Sequence, residues 1–193
     1  MLLDLLLALL LALLLALLVL LVLLLVLLDL LPLAPSNEHN RRDPMTGMYW
    51  EEWEIGAELE SPARTITEAD IVNFAGLSGD YNPLHIDEEF CKTTQFGTRI
   101  AHGPLIYAIA AGLMFQLHLY DDTLIAFLGF DSLKFTKPVV AGDTIRVRIK
   151  VLEKRETSKS DRGVMKRQLQ VFNQRDEMVQ DAVQAFLLQR RPA

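Results

Sequence analysis

Leu77-Ser78-Gly79-Asp80-Tyr81-Asn82-Pro83-Leu84-His85-Ile86-Asp87, followed by Phe96-Gly97-Thr98-Arg99-Ile100-Ala101-His102-Gly103, orders the rest of the chain around itself. It ends one amphipathic helix, sets a carboxylate and an imidazole on one short turn, and stops at a glycine that opens a long apolar run. Pro83 confines Asn82 to extended backbone, which holds the turn stiff. Asn82 is expected to fasten that turn through hydrogen bonds of its own side chain.

On the N-terminal side, Thr67 caps a helix, with Asp70 at the third position completing an approximate capping box. Ile71, Val72, Phe74, Ala75 and Leu77 supply its apolar face, and Ser78-Gly79-Asp80 ends it. A short helix capped by Asp87 is predicted next. On the C-terminal side, Pro104 falls where a first helical position tolerates it. The run Leu105 to Leu119 is then apolar nearly all round, and a helix of that kind must be wrapped by other elements.

The wrapper follows in the sequence. Thr144 to Val151 alternates apolar and basic residues with the period of a half-buried strand. Similar strands are predicted over Ile125 to Thr136, Met165 to Asn173 and Val179 to Leu188, with a short extended segment at Arg64 to Ile66. Turns at Ala141-Gly142-Asp143, Ser160 to Gly163 and Asn173 to Glu177 are short, so the strands they join are antiparallel. Tyr49 to Trp53 reads as an irregular or strand-like start to the domain. The layout is α+β: a long central helix wrapped by a curved antiparallel sheet.

Outside that domain the composition changes. Every residue from Leu5 to Leu28 is Leu, Ala or Val, enough to cross a hydrocarbon core as a Leu-rich helix. The organisation expected is a Leu-rich segment over 1–31, a linker rich in Pro, Asn, Arg and Asp over 32–47, and the folded domain over 48–193. A signal peptide is disfavoured by the missing basic start and the excess length. Two readings stay open. In the first the tract is a signal anchor, with Arg41 and Arg42 after the span placing the domain on the cytoplasmic side. In the second it is a non-native, low-complexity extension, with Met45 and Met48 as alternative starts. The expected location is cytoplasmic, with membrane contact only if the tract is genuine.

A formal net charge of −6 argues against nucleic acid as a partner. Cys91 is the only cysteine, which excludes an intrachain disulfide and a cysteine-based zinc site. No nucleotide-binding glycine loop or metal-ligand cluster stands out, so no cofactor and no metal are expected.

The quoted motif, over a domain running from about Trp53 to Leu188, resembles the MaoC-like (R)-specific enoyl-CoA hydratase/dehydratase family. That resemblance implies the hotdog fold, an acyl-CoA thioester substrate, and a homodimer or higher homo-oligomer with sheets joined edge to edge. It also implies that Asp80 and His85 are the catalytic pair. The expected reaction interconverts a trans-2-enoyl-CoA and an (R)-3-hydroxyacyl-CoA, with water as the only co-reactant. Such a reaction needs a held, deprotonated water and stabilisation of charge on the thioester oxygen. Asp80 and His85 would hold the water. Gly103, at the positive start of the apolar helix, would offer its amide as an oxyanion donor, with Asn82 beside it in substrate binding.

Each residue also has a plainer reading. Asp80 and His85 by themselves are a turn residue and a polar residue ahead of a helix, and Gly103 is a helix start that needs glycine for space. His102 is expected to be structural, bonding backbone across the loop rather than serving as a second base, His118 a packed or helix-end residue, His39 part of the linker, and Cys91 a small buried residue. The basic side of the later strands (Arg146, Arg148, Lys150, Lys154, Arg155, Lys166, Arg167) reads mostly as a solvated face, with coenzyme A contact for one or two. Two rival functions are a thioesterase, which needs a carboxylate or polar group on the central helix to direct water at the carbonyl carbon and is disfavoured by the run Leu105 to Phe115, and a non-catalytic, membrane-tethered acyl-CoA-binding module.

Overall fold

The computed structural model describes residues 47–192; the expectations for the Leu-rich tract and most of the linker fall outside them. A 3-10 turn at Trp50–Glu52 starts the described chain, where an irregular or strand-like start was expected. The Tyr49 backbone N–H donates to Glu52 Oε2 at 2.7 Å, and the Trp50 indole donates to the Val164 carbonyl at 3.0 Å. These bonds curl the segment onto the domain. Trp53 is buried and stacks on Tyr120.

Strands β1 (Glu58–Glu60) and β2 (Arg64–Thr65) are short. Three helices follow: α1 (Glu68–Ser78), a single turn α2 (Pro83–Ile86) and α3 (Glu88–Lys92). Helix α4 (Gly103–Phe115) precedes the long strands β3 (Leu124–Phe135), β4 (Thr144–Glu156), β5 (Arg162–Phe172) and β6 (Met178–Gln189). The sheet is antiparallel with order β1-β4-β5-β6-β3, and β2 pairs with β4. All four predicted long strands are present, shifted at their ends by a few residues.

The core lies between α4 and the inner face of the sheet. Leu105, Ile106, Ile109, Ala110, Leu113 and Met114 are buried there against Val147, Ile149, Leu169 and Val171. Each large aliphatic side chain so placed contributes about 1.5–3 kcal/mol of burial free energy.

Helix α4 differs from expectation in two ways. It ends at Phe115 rather than near Leu119, so His118 lies in an exposed turn at φ 56°, with Nδ1 2.7 Å from Asp121 Oδ2. And the sheet wraps one side only: Pro104, Ala108, Gly112 and Phe115 form an exposed stripe. Small residues there lower the apolar area that faces water, although the composition of the helix is apolar throughout.

The first half of the basic face of β4 is engaged in ion pairs within the protein. Arg146 and Arg148 bond Glu60, Lys150 bonds Glu58, and Lys166 on β5 bonds Asp131. Arg167 is the exception on that strand: its side chain points inward and is buried. Among the described residues no helix is long and apolar enough to cross a membrane.

Candidate active site

Helix α1 begins with the expected capping box: Thr67 Oγ1 accepts from the Asp70 N–H at 3.2 Å, and Asp70 Oδ2 accepts from the Thr67 N–H at 2.8 Å. It ends at Gly79, which adopts a left-handed conformation (φ 74°, ψ 7°) that glycine reaches without a Cβ clash. That reversal throws Asp80 out of the helix axis. Asp80 Oδ1 then accepts from the Asn82 N–H at 3.2 Å, and Asn82 Oδ1 accepts from the Leu84 N–H at 3.0 Å. Asn82 is thus the N-cap of α2, with Pro83 at its first position. The stiff turn of the sequence is one turn of helix, and it carries His85.

His85 Nδ1 lies 2.8 Å from the Ile100 carbonyl oxygen, and a carbonyl only accepts. Nδ1 therefore carries the proton and Nε2 of the neutral ring holds a bare lone pair. Nε2 is 3.9 Å from Asp80 Oδ2. The His85 side chain is 12% exposed and that of Asp80 54%, so the pair is mostly buried at the imidazole and open to solvent at the carboxylate.

The segment before α4 is strapped to this turn. The Ile100 N–H donates to the Leu84 carbonyl at 3.0 Å, and the Ala101 N–H donates to the Val139 carbonyl at 2.7 Å. Glu88 accepts from Thr98 Oγ1, the Arg99 N–H and Arg99 Nε, and the Arg99 backbone bond leads in holding its carboxyl below the usual range. His102 does more than pack. Its Nε2 bonds the Asp80 carbonyl oxygen at 3.0 Å, and its ring stacks on His85 with centroids 3.6 Å apart. It is almost fully buried, and its Nδ1 has no partner. The bond to backbone across the loop is the structural role expected of His102; its partner, 22 residues earlier in the chain, is what the fold decides.

His102 is also the N-cap of α4, so Gly103 is the first helical residue and its N–H has no partner one turn back. A Cβ on Gly103 would lie 2.7–2.8 Å from carbons of the Phe135 ring. Packing against Phe135 requires glycine here, whatever the amide does.

Cys91 is buried, its Sγ 3.4 Å from the carbonyls of Pro83 and Leu84, and burial leads in raising its thiol pKa. It braces α2 and is poorly placed as a nucleophile. Asp80, His85 and His102 offer ligand atoms within 4.8 Å of one another. The two imidazoles are stacked with an interplanar angle of 27°, so their in-plane lone pairs run nearly parallel and converge poorly on one cation.

The MaoC-like domain matches residues 52–171, more than half of the chain. The chain belongs to the MaoC-like domain family. Among MaoC-like relatives, it is 44% identical over 115 residues to Protein MaoC of Klebsiella aerogenes, covering 60% of this chain and 33% of that protein. It is 42% identical over 104 residues to the (R)-specific enoyl-CoA hydratase of Rhodospirillum rubrum, covering 53% of this chain and 69% of that protein. The crystal structure of a monoamine oxidase regulatory protein from Archaeoglobus fulgius is 40% identical, with a TM-score of 0.71, covering 76% of this chain and 97% of that one. The wrapped-helix architecture of this MaoC-like domain is the hotdog fold. This chain spans only a third of Protein MaoC, so that protein's further properties do not transfer.

Proposed function

We propose that this domain adds water across the double bond of a trans-2-enoyl-CoA to give an (R)-3-hydroxyacyl-CoA, and catalyses the reverse dehydration. The observation that carries the reading is the lone pair of His85 Nε2, left bare by the Nδ1 bond to Ile100, facing the Asp80 carboxylate 3.9 Å away. A water between them would donate one hydrogen to Asp80 and the other to His85 Nε2. As its oxygen attacks the β-carbon, His85 takes up the proton and electrons move to the thioester oxygen. The Gly103 N–H, at the positive end of α4, stabilises that oxygen. The proton is then returned to the α-carbon, so only water is consumed. Asn82 supports substrate binding by capping the turn that carries His85.

The (R) configuration and the coenzyme A carrier rest on likeness to the hydratase of Rhodospirillum rubrum. A homodimer is part of the same proposal. Strand β3 pairs only with β6, and its exposed Ile125, Phe127, Leu128, Phe130 and Phe135 favour cover by a second copy.

Loss of the conjugated-enone absorbance of crotonyl-CoA, with chiral analysis of the product, tests the reaction. Release of free CoA without loss of the double bond would replace the hydratase with a thioesterase.

A further inference from the structure

The inner face of β6 should be apolar, because it lies under the core helix. Two of its five buried inner positions are instead glutamines, Gln180 and Gln184, and both are fully buried. Gln184 is satisfied. With its amide oriented to suit its neighbours, its nitrogen donates to Tyr107 Oη at 3.1 Å and its oxygen accepts from Arg167 Nε at 2.9 Å and Nη2 at 3.0 Å. Gln180 is not. Neither its Oε1 nor its Nε2 has a partner. A buried amide left unpaired is destabilising, so its presence in a core row calls for a bonding partner.

The strand register places Gln180. It stands opposite Val171 of β5 on one side and Phe135 of β3 on the other, so the three share the inner face. The Phe135 ring is the group that abuts Gly103. Gln180 therefore lies in the strip of sheet beneath the first turn of α4. Gln184 lies one helical turn further along, bonded to Tyr107. The unpartnered Nδ1 of His102 belongs to the N-cap of the same helix. A thioester whose oxygen meets the Gly103 N–H would run its acyl group past Gln180.

We infer that Gln180 hydrogen-bonds an oxygen substituent on the acyl group. The preferred substrates are then short enoyl thioesters bearing a hydroxyl or carboxyl next to the double bond, rather than alkyl chains of the same size. The inference deepens the hydratase reading and rests on it for the position of the acyl group. A site with a buried amide discriminates by what it leaves unpaired: an alkyl group strands the amide, whereas a hydroxyl satisfies it.

The test compares two substrates of matched size, 4-hydroxycrotonyl-CoA and trans-2-pentenoyl-CoA, on the full chain and on Q180L and Q180M. The expected result is a kcat/KM for the hydroxylated substrate higher by roughly tenfold or more, and a ratio near unity in both variants. Both variants should also melt at a higher temperature, since a stranded amide is gone. Equal rates on the two substrates, or a ratio the variants leave unchanged, overturns the inference. Binding of the saturated analogues 4-hydroxybutyryl-CoA and pentanoyl-CoA, measured by calorimetry, keeps the outcomes separate. If no enoyl-CoA is hydrated but the hydroxylated analogue still binds more tightly and Q180L abolishes the difference, the hydratase reading fails and the role of Gln180 stands. If the analogues bind equally, the role of Gln180 fails whatever the turnover.

Discussion

The imidazole of His102 lies flat against that of His85, centroids 3.6 Å apart, while its Nε2 holds the carbonyl oxygen of Asp80 at 3.0 Å. One buried ring thus touches both members of the proposed pair. It supports the His85 side chain by stacking and the Asp80 backbone by a hydrogen bond. Replacement by alanine is expected to lower the stability by about 1–3 kcal/mol, through the stranded carbonyl and the lost packing. His102→Phe refills the space and keeps the stack but leaves the carbonyl unheld. It should recover most of the melting temperature and little of kcat, with KM near that of the wild type. Recovery of both by phenylalanine would reduce His102 to a packing residue.

Asp80→Asn and His85→Ala should each lower kcat by about 10²–10⁴, the range of general acid–base contributions. The two substitutions should differ in stability. The Asp80 side chain is 54% exposed, so D80N is expected to melt within a few degrees of the wild type. His85 sits between His102 and the Ile100 carbonyl and should cost more. Wild-type turnover in either variant removes the proposed mechanism.

Gly103→Ala puts a methyl group 2.7–2.8 Å from the Phe135 ring. Destabilisation of about 1–3 kcal/mol is expected, as for overpacking elsewhere. Phe135 is half exposed on the edge strand, so F135A should relieve the clash in the double variant. If the amide is the oxyanion donor, activity of G103A/F135A should follow F135A once the clash is gone, since alanine retains the N–H. A double variant that folds well and stays inactive would show that glycine serves the chemistry through close approach of the substrate.

The β5–β6 hairpin predicts a pH dependence. Asn173 Nδ2, Lys137 Nζ and Arg175 Nε all donate to the Glu177 carboxylate, in that order of effect, and hold its pKa at about 2, against 4.5 ordinarily. A carboxyl lowered on folding stabilises the protein above its unfolded pKa, and that stabilisation is lost as the pH falls through the folded value. Stability should therefore decline between about pH 4.5 and pH 2. Glu177→Gln should flatten that decline while lowering stability at neutral pH. Denaturant melts of both proteins across this window check it; parallel curves would show that Glu177 contributes nothing.

Much of the layout was legible because it depends on neighbours in the chain. The Thr67–Asp70 capping box, the reversal at Gly79, the Asn82-Pro83 start of α2 and the alternation along β4 are settled within a few residues. Local backbone preference and side-chain period suffice for these, whereas the family was legible only as a resemblance carried by the motif from Leu77 to Gly103. The end of α4 is not legible in this way, because apolar composition continues past Phe115 while the chain turns away at His118.

Contacts between distant segments were beyond the reach of any local pattern. The basic residues of β4 looked like a solvated or coenzyme-facing surface until Glu58 and Glu60, nearly ninety residues earlier, came to lie beside them. The exposed stripe of α4, the grip of His102 on Asp80 and the stranded amide of Gln180 likewise exist only once the chain has closed. Hydropathy and propensity act along the backbone, whereas ion pairs, tautomers and unsatisfied buried groups depend on which atoms the closed chain leaves within about 3 Å of one another.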